Sequence, residues 1–176
     1  RYHKPTTIQA DGDAVVRLRE AGFDAEFGFI CFDPLVTLDD LMENLDFIRD
    51  CQLYEGKIYL FDCLRVTIGS EYYDLTCGRV PYGPLDLDTL SYAAPFVHRD
   101  VQEIWDLFFP WKQSTLERFY RWQLQTRGES RDEGIQDRLK TLHVLEYSAM
   151  RCLAEWKKTG DSSLLAAAKT KMRSYE

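Results

Sequence analysis

The apolar run Phe27-Gly-Phe-Ile-Cys-Phe32, stopped by Asp33-Pro34 and followed by a helix start at Thr37, limits this chain most. About six apolar and aromatic residues ending at a proline read as a buried strand. Thr37 with Asp40 three positions on is a capping box, in which the threonine oxygen takes an orphan amide at the helix start. Leu38, Leu41, Met42, Leu45 and Ile48 then fall on one helical stripe. A second strand is predicted over Lys57-Ile-Tyr-Leu-Phe-Asp-Cys-Leu-Arg-Val-Thr67, flanked by Glu55-Gly56 and Ile68-Gly69-Ser70. Two strands separated by one amphipathic helix lie parallel through a right-handed crossover. The expected class is therefore α/β. Two strands do not make a stable sheet alone, so others are expected from a further N-terminal portion or a partner chain. A chain that opens on Arg1 fits a cut from something longer.

Before this unit, Ile8, Ala14, Val15 and Leu18 share a helical face, and Gly22 stands where a C′ glycine belongs. Gly12 inside that helix costs up to ~1 kcal/mol relative to alanine. After it, residues 70–80 predict a short helix ended at Gly78, and Pro81, Gly83 and Pro84 a loop. That loop is the expected boundary between an α/β unit over 1–80 and a helical domain over 81–176. In the second part, Val101, Ile104, Trp105 and Phe108 predict a helix that Pro110 ends or bends. Leu116, Phe119, Tyr120 and Leu124 predict another over about 114–126, and a charged loop over 128–134 follows. Ile135, Leu139, Leu142, Met150 and Leu153 predict a long helix to about Lys158, with Asp161 or Ser162 capping a last one.

Length and charge exclude several functions. A chain of 176 residues is one domain, or one with an appendage. Its net charge of −7 argues against nucleic acid as a partner, because a phosphate backbone needs clustered Lys and Arg. No apolar run approaches the ~18 residues of a membrane span, so no membrane partner is expected. Cys31, Cys51, Cys63, Cys77 and Cys152 include no CxxC pair and read as reduced core cysteines of a cytoplasmic protein. His3, His98 and His143 form no ligand spacing and read as solvated or capped.

Several blocks resemble one family. Lys4-Pro-Thr-Thr-Ile-Gln, Leu18-Arg-Glu-Ala-Gly22, Phe27 through Pro34 and Thr37-Leu-Asp-Asp-Leu-Met-Glu-Asn-Leu-Asp-Phe47 are similar to the later part of a radical S-adenosylmethionine (SAM) domain. The similarity is to the class that carries an N-terminal cobalamin-binding domain. Leu64-Arg-Val-Thr-Ile-Gly-Ser-Glu-Tyr-Tyr-Asp-Leu-Thr-Cys-Gly78 resembles that class's segment after the next strand, with Ile68 and Glu71 where the family has a proline and a second threonine. The likeness covers about residues 4–80. The family's cluster motif, CxxxCxxC, is absent from this sequence.

The resemblance implies a slice of a partial (β/α)6 TIM-type barrel, two parallel strands with their crossover helix, followed by a helical bundle. It implies SAM as cofactor, and a 4Fe-4S cluster and cobalamin only where the N-terminal barrel and cobalamin-binding portion, or a partner chain, supplies them. It implies SAM-dependent methylation or related radical chemistry on a small-molecule substrate. Gly28 and Ile30 match a strand pattern whose hydrophobic residue packs on the SAM adenine, with Phe32 where a second glycine stands in the family. The plain alternative is that all three point into a packed core. Val66 and Thr67 are expected to end the next strand, at the edge where barrels bind ligands. Arg65 there suits a carboxylate or phosphate, or else an ordinary ion pair.

Other residues carry less. Asp33 is either catalytic at a strand end or a turn former. Asp62 and Cys63 lie mid-strand, where a buried aspartate needs a partner. The aromatic block from Phe96 to Trp122 has helical spacing and reads as helix core or as a cavity wall. The alternative to an enzyme segment is a non-catalytic helical interaction module on a βαβ scaffold.

Overall fold

Thr37 caps its helix as the sequence predicts. Its hydroxyl accepts from the Asp40 amide at 3.1 Å, and its own amide donates to the Asp40 carboxylate at 2.9 Å. Such a cap stabilises a helix by ~1 kcal/mol. The computed structural model describes residues 7–23, 26–55, 57–126 and 133–174. The expectations for Lys4–Thr6, Gly56, His3 and most of the 128–134 loop lie outside them.

The chain runs α1 (Ile8–Glu20), β1 (Glu26–Phe32) and α2 (Leu38–Asp50), then a single 3-10 turn at Leu53–Glu55. Next come β2 (Lys57–Cys63), β3 (Val66–Thr67) and α3 (Glu71–Thr76). β4 (Leu85–Asp86) and β5 (Ser91–Tyr92) precede three long helices: α4 (Arg99–Thr126), α5 (Glu133–Thr159) and α6 (Ser162–Arg173). The class is α/β, mostly helical, with a small parallel sheet and a helical C-terminal region. β1 and β2 pair in parallel, as the crossover requires. On β1, Phe29 stacks on Phe47 of α2 at 5.6 Å, whereas Phe32 packs on Phe61, Phe96 and Trp105. Alternate residues thus serve two faces, one covered by α2 and one turned away from it.

Four expectations are corrected. The second strand does not reach Thr67: β2 ends at Cys63, and Val66-Thr67 pair antiparallel with β5 in a separate sheet ordered β3-β5-β4. Of the two outcomes expected at Pro110 the end is excluded, and the helix expected over 114–126 is not separate, because α4 runs unbroken from Arg99 to Thr126. A proline inside a helix costs ~3 kcal/mol or more. Burying Ile104, Phe108, Trp111 and Phe119 on either side of it contributes ~1.5–3 kcal/mol each, which is larger in sum. In α1 only Val15 of the predicted stripe is buried, while Ile8 and Ala14 are exposed. His143 is buried against the Phe119 ring instead of solvated.

One hydrophobic cluster holds Val15, Leu41, Leu45 and Ile48 together with Ile104, Phe108, Leu142, Met150 and Leu153. It therefore continues across the 81–84 loop. Polar ties reinforce the α2–α5 contact: Arg151 bridges Asp46 of α2 and Glu155 of its own helix, each at 2.6 Å. Asp161 caps α6 through the Ser163 amide at 2.9 Å.

Candidate functional site

The β1–β2 register carries an irregularity that builds the site. Glu26, Phe27 and Gly28 oppose Lys57, Ile58 and Tyr59, but Ile30 opposes Asp62, and Phe32 then opposes Cys63. β2 accommodates the extra residue at Phe61, whose φ of 68° is left-handed. Bulges in parallel pairs are rare and concentrate beside functional sites. A left-handed bulky residue costs ~1–2 kcal/mol and persists where the surroundings fix it. Here the Phe61 ring is buried edge-on against Phe32 and Phe108. The sequence showed no sign of this bulge. Asp62, expected mid-strand and buried, is instead exposed.

Beside the bulge lies a cavity of about 1030 Å³. One wall is Ile30, Asp62, Cys63 and Arg65, from β1, β2 and the loop after it. A second is the β4–β5 hairpin, through Asp86, Thr89 and Tyr92. The third is a stripe of α4: Trp105, Phe109, Lys112, Leu116 and Tyr120. These α4 positions recur every three or four residues, directly beside the core stripe Ile104, Phe108, Trp111, Thr115 and Phe119. The helix thus has two adjacent faces, one sealed and one open.

The charged groups are unequal. Although its surface is exposed, partial desolvation in the cavity wall raises the Asp62 carboxyl above its ordinary range, opposed by Lys112 and Arg65. Asp86 is held below its ordinary range by hydrogen bonds from the Thr89 hydroxyl at 2.8 Å and the Asp88 amide at 2.9 Å. Glu146 of α5 is buried, and desolvation pushes its carboxyl up to about 7, with Lys112 opposing and Asp62 adding. Its position was open to sequence reading: it falls on the stripe Leu139, Leu142, Met150, where an apolar residue belongs. Lys112 lies 5.6 Å from the Phe61 ring centre. Arg65 makes no hydrogen bond or ion pair with a described residue.

Of the residues expected to bind cofactor, the structure brings Ile30 and Arg65 into one wall. Ile30 is 47% exposed, unusual for an isoleucine in a strand. Gly28 opposes Tyr59 in the regular part of the pair. Phe32 is sealed at 0% exposure between Phe61, Phe96 and Trp105 and presents no surface to a ligand. Val66 is likewise sealed, and Thr67 is exposed opposite Ser91, outside the cavity wall. Asp33 is a turn former: buried, it accepts from the Tyr72 hydroxyl at 2.5 Å and the Leu35 amide at 2.8 Å.

All five cysteines are free. Cys31 and Cys51 are buried and Cys77 is exposed, so the expected set of core thiols is only partly core. Burial pushes the Cys63 thiol up to about 12. Among the described residues no cluster of three or more His, Cys, Asp or Glu is placed to hold a metal ion, and no helix is long and apolar enough to cross a membrane. In comparison with known proteins, no family model, curated protein or solved structure matches the chain.

Proposed function

We propose that the chain is the C-terminal slice of a partial (β/α)6 barrel in a cytoplasmic, cobalamin-dependent radical SAM enzyme, followed by its helical domain. The observation that carries this reading is Ile30. It sits on the face of β1 turned away from α2, half-exposed, in the wall of a large cavity beside the C-terminal half of β2. Barrels place helices outside and chemistry at strand C-termini, so an exposed apolar residue there suits the face of a planar base.

The residues present fit SAM but not its cluster. Ile30 gives an apolar surface for adenine, and Asp62 and Arg65 in the same wall give polar groups that can orient a zwitterion. The dispersed cysteines offer no cluster ligand set. On this reading the 4Fe-4S cluster and cobalamin come only with an N-terminal portion or a partner chain that supplies them. When bound there, SAM supplies radical chemistry, in this class often methylation of an unactivated carbon. This chain's part is to cover the adenine side with Ile30, hold charge with Asp62 and Arg65, and shape the substrate pocket with the open face of α4.

A second reading, a non-catalytic helical interaction module, is favoured by the core cluster running unbroken from α1 to α6. Two observations separate them. The first reading expects the chain to be joined to, or to assemble with, a segment carrying CxxxCxxC, and SAM binding in that enzyme to weaken at least tenfold on Ile30→Asp. The second expects neither.

A further inference from the structure

Two aromatic stacks border the cavity. On α4, Trp105 and Phe109 lie 4.5 Å apart and 16° from parallel. On the hairpin side, Tyr92 stacks on Tyr82 at 5.0 Å and 13°, and on Tyr73 at 5.7 Å and 17°. Trp105, Phe109 and Tyr92 are the members that line the cavity. Stacked faces favour a further flat π system over a flexible chain, at about 0.5–1.5 kcal/mol per aromatic pair beyond area burial. The open α4 stripe runs from Trp105 to Tyr120, about 22 Å at the helical rise, so a ring system of several fused rings fits along it.

Charge decides the rest. Two cations, Arg65 and Lys112, line the cavity with two carboxylates, Asp62 and Asp86. Asp86 is committed to its own turn by Thr89 and Asp88. The cavity thus holds as many carboxylates as cations, and both Asp62 and Asp86 act on Arg65 through space. Arg65 makes no ion pair with a described residue. Its planar fork suits a carboxylate bidentately.

We propose that this cavity takes a planar, polycyclic small molecule bearing a carboxylate, its rings lying on Trp105, Phe109 and Tyr92 and its anionic group meeting Arg65. This deepens the reading of the cavity as a substrate pocket, assigns Arg65 to the substrate's carboxylate while Ile30 and Asp62 remain with SAM, and rests on that reading only for the chemistry done to the ligand.

The test uses the 1–176 chain and three probes followed by fluorescence or calorimetry: 1-pyrenecarboxylate, neutral 1-pyrenemethanol and decanoate. Pyrenecarboxylate is expected to bind at least about tenfold tighter than either of the others. Arg65→Gln, at an exposed position, is expected to remove that tenfold preference over pyrenemethanol, whereas Phe109→Ala weakens both pyrenes. Equal binding of the two pyrenes by the unaltered chain, decanoate binding as tightly as pyrenecarboxylate, or an Arg65→Gln chain that keeps the preference would overturn the proposal. No SAM is present in this titration, so its outcome is independent of the Ile30 test on SAM affinity.

Discussion

Ile30 of β1 stands opposite Asp62 of β2, where an unbroken register would place Phe61. The displacement brings an apolar and an acidic side chain together in the cavity wall and drives the Phe61 ring into the core. One backbone irregularity therefore makes both the site and part of the packing beneath it.

That dual role predicts the outcome of Phe61→Gly. Glycine relieves the left-handed strain at φ 68°, a gain of ~1–2 kcal/mol. Removing a buried phenylalanine costs ~3–5 kcal/mol. The variant should be destabilised by roughly 1–4 kcal/mol in urea unfolding. Unchanged or raised stability would show that strain outweighs packing at this residue.

Glu146 sets a pH dependence. Its folded-state pKa, about 7, lies above its ordinary 4.5, so the folded protein holds this proton more tightly than the unfolded chain. The contribution is fully present below about 4.5 and is lost as pH rises through about 7. The groups that bear on it are Lys112 of α4 and Asp62 of β2. Glu146→Gln should match the parent near pH 4.5 and exceed it at pH 8 by on the order of 3 kcal/mol. A stability difference that does not change with pH would refute the assignment.

Pro110 is exposed, and its ring removes a helical hydrogen bond from α4. Pro110→Ala should therefore raise stability by about 1–3 kcal/mol. Thermal unfolding at lower temperature than the parent would mean that the proline fixes a helix shape the core needs.

Asp33 and Tyr72 make a charge-assisted contact of 2.5 Å between the end of β1 and α3. Tyr72→Phe should cost about 1.5–3 kcal/mol. The same variant should leave pyrenecarboxylate binding within twofold, since neither residue lines the cavity. Loss of ligand binding without loss of stability would return Asp33 to the site.

What was legible in the sequence was local. The Thr37–Asp40 box, Gly22 at φ 75° and the Asp161 cap lie within a few residues of what they satisfy, and each appears where expected. The parallel β1–β2 pair followed from crossover geometry. What failed depends on contacts distant in sequence. β3, β4 and β5 are two residues each, too short for any periodicity, and exist by pairing across the hairpin. Pro110 is a local stop that the flanking core residues override. The left-handed Phe61 is held by Phe32 and Phe108, and no local pattern announces it. Ile30 and Arg65 came from a family resemblance, and Phe32 from the same source proved to be core. Lys112 and Glu146 were missed although each interrupts an apolar helical stripe.

Ile30 is proposed to form the adenine-side surface for SAM, and Ile30→Asp in the chain joined to the proposed cluster-bearing portion probes that role. Half-exposed, this residue should accept aspartate without loss of fold, which circular dichroism checks. SAM affinity measured by equilibrium dialysis should fall at least tenfold, about 1.4 kcal/mol or more. An unchanged dissociation constant with an intact spectrum would contradict the account.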